Sequence, residues 1–478
     1  MSHFTIGQTF VGLVLLLGKA KAAPAGYQSC VRSIYPTTAS MQSQCPSFRP
    51  RVFQQQLRIP ESIGSYWAAQ KTQTQPECVV AAKTVEHVQK AVQVLSKLNA
   101  RSAVCQFAVR ADGHGKSGNS NQQGGVSVDL RALNAVTVSA DQKMASIGAG
   151  AHWQDVASEL DALSLAVPGG RAGTVGVGGL SLAGGISSFA PSVGFACDNV
   201  LSFEVVLSSG EVVIASERSN SDLHRALRGG GNNFGVVTRV NYQTFPLQKM
   251  WGGTTYYDVS TYASQLKAFY DFTSDPNYDD RAYGYQTFEL NAQATMALNN
   301  FAYTEPTPDL PRKLKALNES APMLFSTLRI SNVSDLIKEQ AAGSPAGFRQ
   351  IAYTTTFHLN QDMLEASFKV WNASLAAVRA VPNITYSWTL EPLPRPLLAQ
   401  STKRGGNVLG LSKVDQPLTT AKQVLTDIDA LAKELAVFHP WKYAGYAAKD
   451  QAVIQGYGQD NVAFLKQKAV PGGFKLEG

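Results

Sequence analysis

Pro168–Gly185 reads PGGRAGTVGVGGLSLAGG, eight glycines in 18 residues with Val175, Val177, Leu180 and Leu182 set between them. A flexible linker of this length would be polar. Glycine alternating with apolar residues suits a backbone packed against a flat ligand or a pyrophosphate, because missing side chains let amides approach closely. The run therefore reads as a structured, ligand-facing loop, and the segments around it show what it belongs to.

Upstream, short strands and helices alternate. Val85, Val88, Val92, Leu95 and Leu98 recur at helical spacing over Thr84–Asn99, and Val104–Arg110 is an apolar strand running into a glycine-bearing turn. Val126–Leu130, Val136–Ser139 and Met144–Ile147 read as strands, and Trp153–Leu165 as an amphipathic helix. Downstream, Leu201–Leu207 and Glu211–Ala215 flank a Ser208-Ser209-Gly210 turn, and Asp222–Leu227 is a short helix ending in Gly229-Gly230-Gly231. After about Pro246 the texture changes to Thr, Tyr, Asn and Gln, with alternating segments at Gly252–Asp258 and Tyr353–His358 and helices expected at Met363–Val378 and Thr420–Ala436.

Two motif matches mislead. Gly113-His114-Gly115-Lys116-Ser117-Gly118 satisfies G-x-G-x-x-G, and Gly115-Lys116-Ser117 echoes a phosphate loop. A dinucleotide fold needs those glycines to open a helix, yet Asn119–Gly125 is polar without helical period, and Arg110 stands where a phosphate loop needs its first glycine. What remains is a strand, FAVR, turning through Asp112-Gly113 with His114 at its apex.

Composition bounds the rest. The chain has 478 residues, 44% apolar and 16% charged, with a formal charge of +7. Its basic residues are scattered, which argues against a nucleic-acid partner. Thr9–Leu17 is an apolar run far short of the roughly 20 residues that span a bilayer, and Ala20-Lys21-Ala22 offers a cleavage site, so residues 1–22 read as a signal peptide despite an n-region without Lys or Arg. Secretion agrees with four sequons, at Asn318, Asn332, Asn372 and Asn383. None of the five cysteines forms a CxxC pair, so no metal site is expected. Sequence proximity suggests Cys30–Cys45 and Cys78–Cys105, leaving Cys197 free, although spacing alone does not fix connectivity.

The ordered series is the informative feature: His114 after FAVR, then G-T-V-G-V-G-G at 173–179, then Gly194-Phe195-Ala196-Cys197-Asp198-Asn199-Val200, then Ala226–Thr238 (ALRGGGNNFGVVT). It resembles the vanillyl-alcohol-oxidase superfamily of FAD enzymes, specifically the fungal berberine-bridge-enzyme-like oxidoreductases with a PCMH-type FAD-binding domain. The resemblance implies an α+β fold: a two-part FAD-binding domain (72–248, with 30–71 as its N-terminal part), an antiparallel-sheet substrate domain covered by helices (249–435), and a return to the FAD domain at 436–478. It implies that Arg110, Asp112, Gly113, His114 and Gly115 form the pyrophosphate turn, with His114 linked covalently to the flavin. Gly173, Thr174, Gly176, Gly178 and Gly179 would pass the isoalloxazine, and Asp198, Asn199, Val236 and Val237 would complete the cradle. Tyr443 and Tyr446 are the candidate bases by family position.

Four departures accompany the resemblance. Asp112 replaces a glycine and brings a carboxylate beside the pyrophosphate unless it points away or pairs with Arg110. Ala172 stands where bicovalent relatives carry cysteine, leaving His114 as the sole expected anchor. Leu180 replaces a frequent histidine, and the usual Tyr-x-Asn-Tyr reads Tyr443-Ala444-Gly445-Tyr446. The expected activity is oxidation of a small organic substrate with dioxygen as acceptor, in fungal secondary metabolism. A secreted carbohydrate oxidase and a non-catalytic glycoprotein are the alternatives.

Overall fold

The computed structural model describes residues 59–102, 106–116, 120–292, 294–307, 309–411, 417–421, 425–448 and 450–469. The expected signal segment, Cys30, Cys45 and Cys105 lie outside them. Among the described residues no helix is long and apolar enough to cross a membrane.

Strands β1 (Cys78–Ala81), β2 (Phe107–Arg110) and β3 (Val126–Asp129) form a parallel sheet in the order β1-β3-β2. Val79, Val80, Val126 and Val128 are buried, as a sheet covered on both faces requires. Helix α1 (Val85–Ser102) lays Val88, Val92 and Leu95 into the same core. A second, antiparallel sheet follows, from β4 (Val136–Val138) and β5 (Met144–Gly148). After helix α2 (Trp153–Asp161), β6 (Leu165–Ala166) leads into the glycine-rich run. Then come β7 (Val200–Val206), β8 (Val212–Ser216) and β9 (Val236–Gln243), giving the order β4-β5-β9-β7-β8, while β10 (Phe245–Pro246) pairs with β6.

The glycine-rich run is not entirely loop. Val177–Leu182 forms a six-residue helix, α3, despite Gly178 and Gly179. Tertiary packing overrides propensity here: a Cβ at Gly178 would lie 2.9 Å from the Ala149 carbonyl, so only glycine lets the helix dock on the second sheet.

From Met250 the chain builds one nine-stranded antiparallel sheet: β11 (Met250–Asp258), β12 (Ala282–Leu290), β13 (Thr295–Tyr303), β14 (Met323–Ser326), β15 (Arg329–Ser331), β16 (Thr354–His358), β17 (Tyr386–Pro392), β18 (Pro417–Ala421) and β19 (Phe438–His439). Period-two alternation sorts its side chains. In β12, Gln286 and Phe288 face helices α4 (Tyr262–Thr273) and α6 (Gln361–Val378), whereas Tyr283 and Tyr285 face the first core. Helix α5 (Val333–Ala342) packs on α2. The helix expected over Thr420–Ala436 starts later, at Leu425 (α7, Leu425–Glu434), because residues 417–421 bridge β17 and β16 and close the sheet. Beyond it, Trp441, Tyr443, Tyr457 and Leu465 return to the first core.

Candidate cofactor and active site

The turn after β2 is built from below. Arg110 is fully buried, and its guanidinium donates to the carbonyls of Ser62 (2.6 Å), Ser65 (2.9 Å) and Asp112 (2.8 Å) while lying over the Tyr66 ring. Arg110 thus holds the turn's shape rather than pointing into it. Gly113 has φ of +102°, and a Cβ there would meet Tyr66 and the Arg110 guanidinium within 2.9 Å, so the turn needs glycine at this position. Among the described residues the amides of Asp112, Gly113, His114 and Gly115 donate to no protein acceptor. Such a run of free amides fits an anionic ligand such as the FAD pyrophosphate.

His114 stacks on Trp67 (centroids 4.1 Å apart, 11° between planes), with Nε2 3.4 Å from Thr174 Oγ1. Burial depresses the imidazole to about 4, so it is neutral near pH 7 and keeps a lone pair for bond formation. Lys116 follows, its ammonium lowered to about 8 by burial and set 5.6 Å from the centre of the Tyr446 ring.

The glycine run and the turn meet directly. A Cβ at Gly176 would lie 2.4 Å from Asp112 Cβ, and one at Gly178 would lie 3.1 Å from Ala111 Cβ. Gly173 donates to the Ile337 carbonyl at 2.9 Å, tying the run to α5, and Gly179 has open space around it. The chain therefore brings His114, Thr174, Gly176 and Gly178 together. The remaining predicted residues sit elsewhere in the same domain. Asp198 is buried, accepts from the Phe195 amide and Asn407, and is raised to about 6 by burial. Asn199 donates to the carbonyls of Val193 and Phe195, so both side chains hold the 193–199 turn. Val236 and Val237 are buried at the start of β9. Gly115 is exposed at the turn's edge.

The Asp112 carboxylate takes neither of its two expected courses alone. Arg110 binds its carbonyl, and its Oδ1 lies against His152 Nε2, on the residue preceding α2. Sequence reasoning missed His152, which sits in G-A-G-A-H-W without any recognisable motif.

Where the first core meets the nine-stranded sheet, a buried ion pair forms that the sequence reading also missed. Arg171, from the glycine run, binds Glu391 of β17 at both oxygens, Nη1–Oε1 2.6 Å and Nη2–Oε2 2.9 Å. Tyr446 donates to Glu391 Oε2 at 2.8 Å and accepts from Arg171 Nη2 at 2.6 Å, while Tyr283 donates to Oε1. Burial holds the hydroxyls of Tyr446 and Tyr283 well above the usual phenol range, so neither rests as a tyrosinate. Tyr443 stands apart from the ion pair: its hydroxyl accepts the Ile186 amide at 3.2 Å, and its ring packs edge-on against Tyr446. Gly445 follows from that packing, since a Cβ there would sit 2.8 Å from the Tyr443 ring. Beside Arg171 and Tyr283 opens a cavity walled by Trp153, Phe189, Met250, Tyr285, Phe301 and Ile337.

Residues 76–216 match the FAD binding domain family. The chain is 34% identical to the FAD-dependent monooxygenase FUP4 of Fusarium proliferatum, over 97% of this chain and 98% of that protein. It is also 34% identical to the FAD-dependent monooxygenase tpcD of Cochliobolus heterostrophus, over 96% and 97%. Among solved structures it is similar in fold to a xylooligosaccharide oxidase from Myceliophthora thermophila (TM-score 0.71, 19% identity, 94% of this chain and 97% of that one). The Physcomitrella patens BBE-like 1 protein is comparable (TM-score 0.69, 16% identity, 95% and 98%). With the free-amide turn, the glycine run packed on it and the return of the C-terminal segment, these likenesses show that the chain belongs to the FAD-linked oxidoreductase family of the fungal FAD-dependent monooxygenases and shares the fold of the oligosaccharide oxidases and BBE-like proteins.

Proposed function

We propose that this enzyme oxidises a small organic hydroxyl, amine or phenol, within fungal secondary metabolism, using FAD tethered to His114 and dioxygen as the final acceptor. The observation that carries this reading is the Arg171–Glu391–Tyr446 cluster at the domain interface. Bound FAD supplies the two-electron acceptor for substrate hydride, and dioxygen restores it with release of peroxide.

The chain's own part is proton management. A substrate hydroxyl set against Tyr446 Oη delivers its proton there while Tyr446 passes its own to Glu391 Oε2, so the buried phenol never becomes an isolated anion. Arg171 fixes Glu391 by bidentate contact, which orients the carboxylate toward both tyrosines. Tyr443 positions Tyr446 by ring packing. The adjoining cavity, mostly apolar and aromatic but edged by Arg171, Asp161, Ser188, Asn300, Gln340 and two tyrosines, favours a compact substrate with an apolar body and a few polar groups over a hydrated oligosaccharide.

Neutral His114 beside Thr174, with Ala172 in place of a second anchor, supports a single covalent link. Acid precipitation tests it: yellow colour should stay in the pellet for the parent chain and move to the supernatant for His114→Ala. Colour in the parent supernatant would sink the tether. Peroxide release on alcohols and phenols but not on sugars is the matching activity result. Secretion, with glycans at Asn372 and Asn383, which are exposed, and at Asn318 and Asn332, which are half-buried, is part of the same proposal. A mobility shift on N-glycosidase treatment of the secreted protein checks it.

A further inference from the structure

A carboxylate beside a bound pyrophosphate is repelled by it, and this chain carries one at Asp112 in the turn whose amides are free. The surroundings of Asp112 show how the turn accommodates it. Gly176 walls the side chain on one side, since a Cβ there would lie 2.4 Å from Asp112 Cβ. Gly176 also forms a backbone bridge with His152, whose imidazole Nε2 meets Asp112 Oδ1. Three segments that share no sequence proximity thus close around one carboxylate: the turn, the glycine run and the start of α2.

We propose that His152 is a positioning residue for FAD: it binds and neutralises the Asp112 carboxylate, letting this turn hold a pyrophosphate although it carries an acid. The inference rests on FAD binding and is independent of whether His114 forms a covalent bond.

The charged groups facing His152 are Asp112 from the turn, Asp155 from α2 (Oδ2 3.8 Å from Nδ1) and Arg131 from the segment after β3, and the neutral His114 is the other titratable neighbour. The hydrogen bond that His152 donates to Asp112 is the largest influence and raises the imidazole above its usual value, with burial opposing. A raised histidine is charged below its folded pKa, so compensation is complete at mildly acidic pH and is lost as pH rises through that value. Flavin retention should weaken in the same direction.

The test uses the full-length protein carrying His114→Ala as its parent, so that no covalent bond holds the flavin, and reads the flavin-to-protein absorbance ratio after loading with FAD and extensive ultrafiltration, from about pH 6 to about pH 9. His152→Gln should retain flavin about tenfold more weakly than the parent at the acidic end, from one uncompensated charge. Asp112→Gly should match the parent at the acidic end and lose its pH dependence. His152→Gln combined with Asp112→Gly should recover full loading, which a merely structural role for His152 would not produce. Equal loading of His152→Gln and parent, or no recovery in the double variant, overturns the proposal. A colourless protein with His114 intact would instead overturn FAD binding itself, a result distinct from a yellow His114→Ala parent with an equally yellow His152→Gln.

Discussion

At the residue scale, Glu391 concentrates the chemistry. It is 1% exposed, accepts from two tyrosines and binds Arg171 through both oxygens. Glu391→Gln keeps the shape but replaces a proton acceptor by an amide that cannot take the Tyr446 proton. Substrate turnover should fall by about 10²–10⁴, the usual contribution of a positioned base, while flavin content stays at the parent level. Stopped-flow reduction of the flavin by substrate checks this, and a rate within about threefold of the parent would remove Glu391 from the proton path. None of this was legible in the sequence. Glu391 lies 220 residues from Arg171, in a strand whose T-L-E-P-L-P reads as ordinary alternation, and only the closing of the sheet onto the glycine run joins them. His152 was hidden for the same reason. The reading did reach Tyr446, by family position, but could not separate it from Tyr443, because the two differ in what each hydroxyl faces: Glu391 in one case, the Ile186 amide in the other.

At the scale of elements, the sequence was read best where backbone geometry is dictated by glycine. The run at 168–185 was legible as a ligand-facing segment because its glycines alternate with buried apolar residues, and the contact of Gly176 with Asp112 gives the physical reason. Its helical portion was not legible, since Val177-Gly178-Gly179 argues against a helix on propensity alone, and only the Ala149 carbonyl under Gly178 explains it. The start of α7 was misplaced because Thr419 and Thr420 suit either an exposed helix face or a strand, and the gap between β16 and β17 decides for the strand. The contact between run and turn predicts a mutational effect distinct from that of Glu391. Gly176→Ala would drive a methyl into Asp112 and part the two segments that must face the cofactor together. Flavin loading should drop several-fold, with the loaded fraction turning over near the parent rate. Absorbance ratios set against turnover per flavin separate the two, and unchanged loading would mean that the run yields to the methyl without parting from the turn.

At the scale of the whole molecule, the two cores meet at the Arg171–Glu391 pair, and the FAD-domain core carries titrating groups of opposite sign. His224 is buried behind β7, donates from Nε2 to the Val200 carbonyl at 3.0 Å, and is depressed to about 4 by burial. Its unfolded value is 6.5, so between 6.5 and about 4 the unfolded chain binds the proton and the folded chain does not. Stability from this residue is therefore complete above 6.5 and is lost as pH falls through that window, by about 1.4 kcal/mol per unit at most. Asp198, raised to about 6 by burial, works the other way: it is protonated in the fold before it is in the unfolded chain, so it gains stability as pH falls from about 6 toward 3.8. The two effects oppose each other over nearly the same range, which should leave the parent protein with a shallow acid dependence. His224→Gln keeps a donor for the Val200 carbonyl and removes the acid-side loss, so Asp198 should then dominate. The melting temperature of the variant should rise, relative to the parent, as pH is lowered from about 6.5 to about 4.5. Calorimetry on both proteins across that interval decides the matter, and parallel curves would show that His224 takes up its proton without unfolding the core around it.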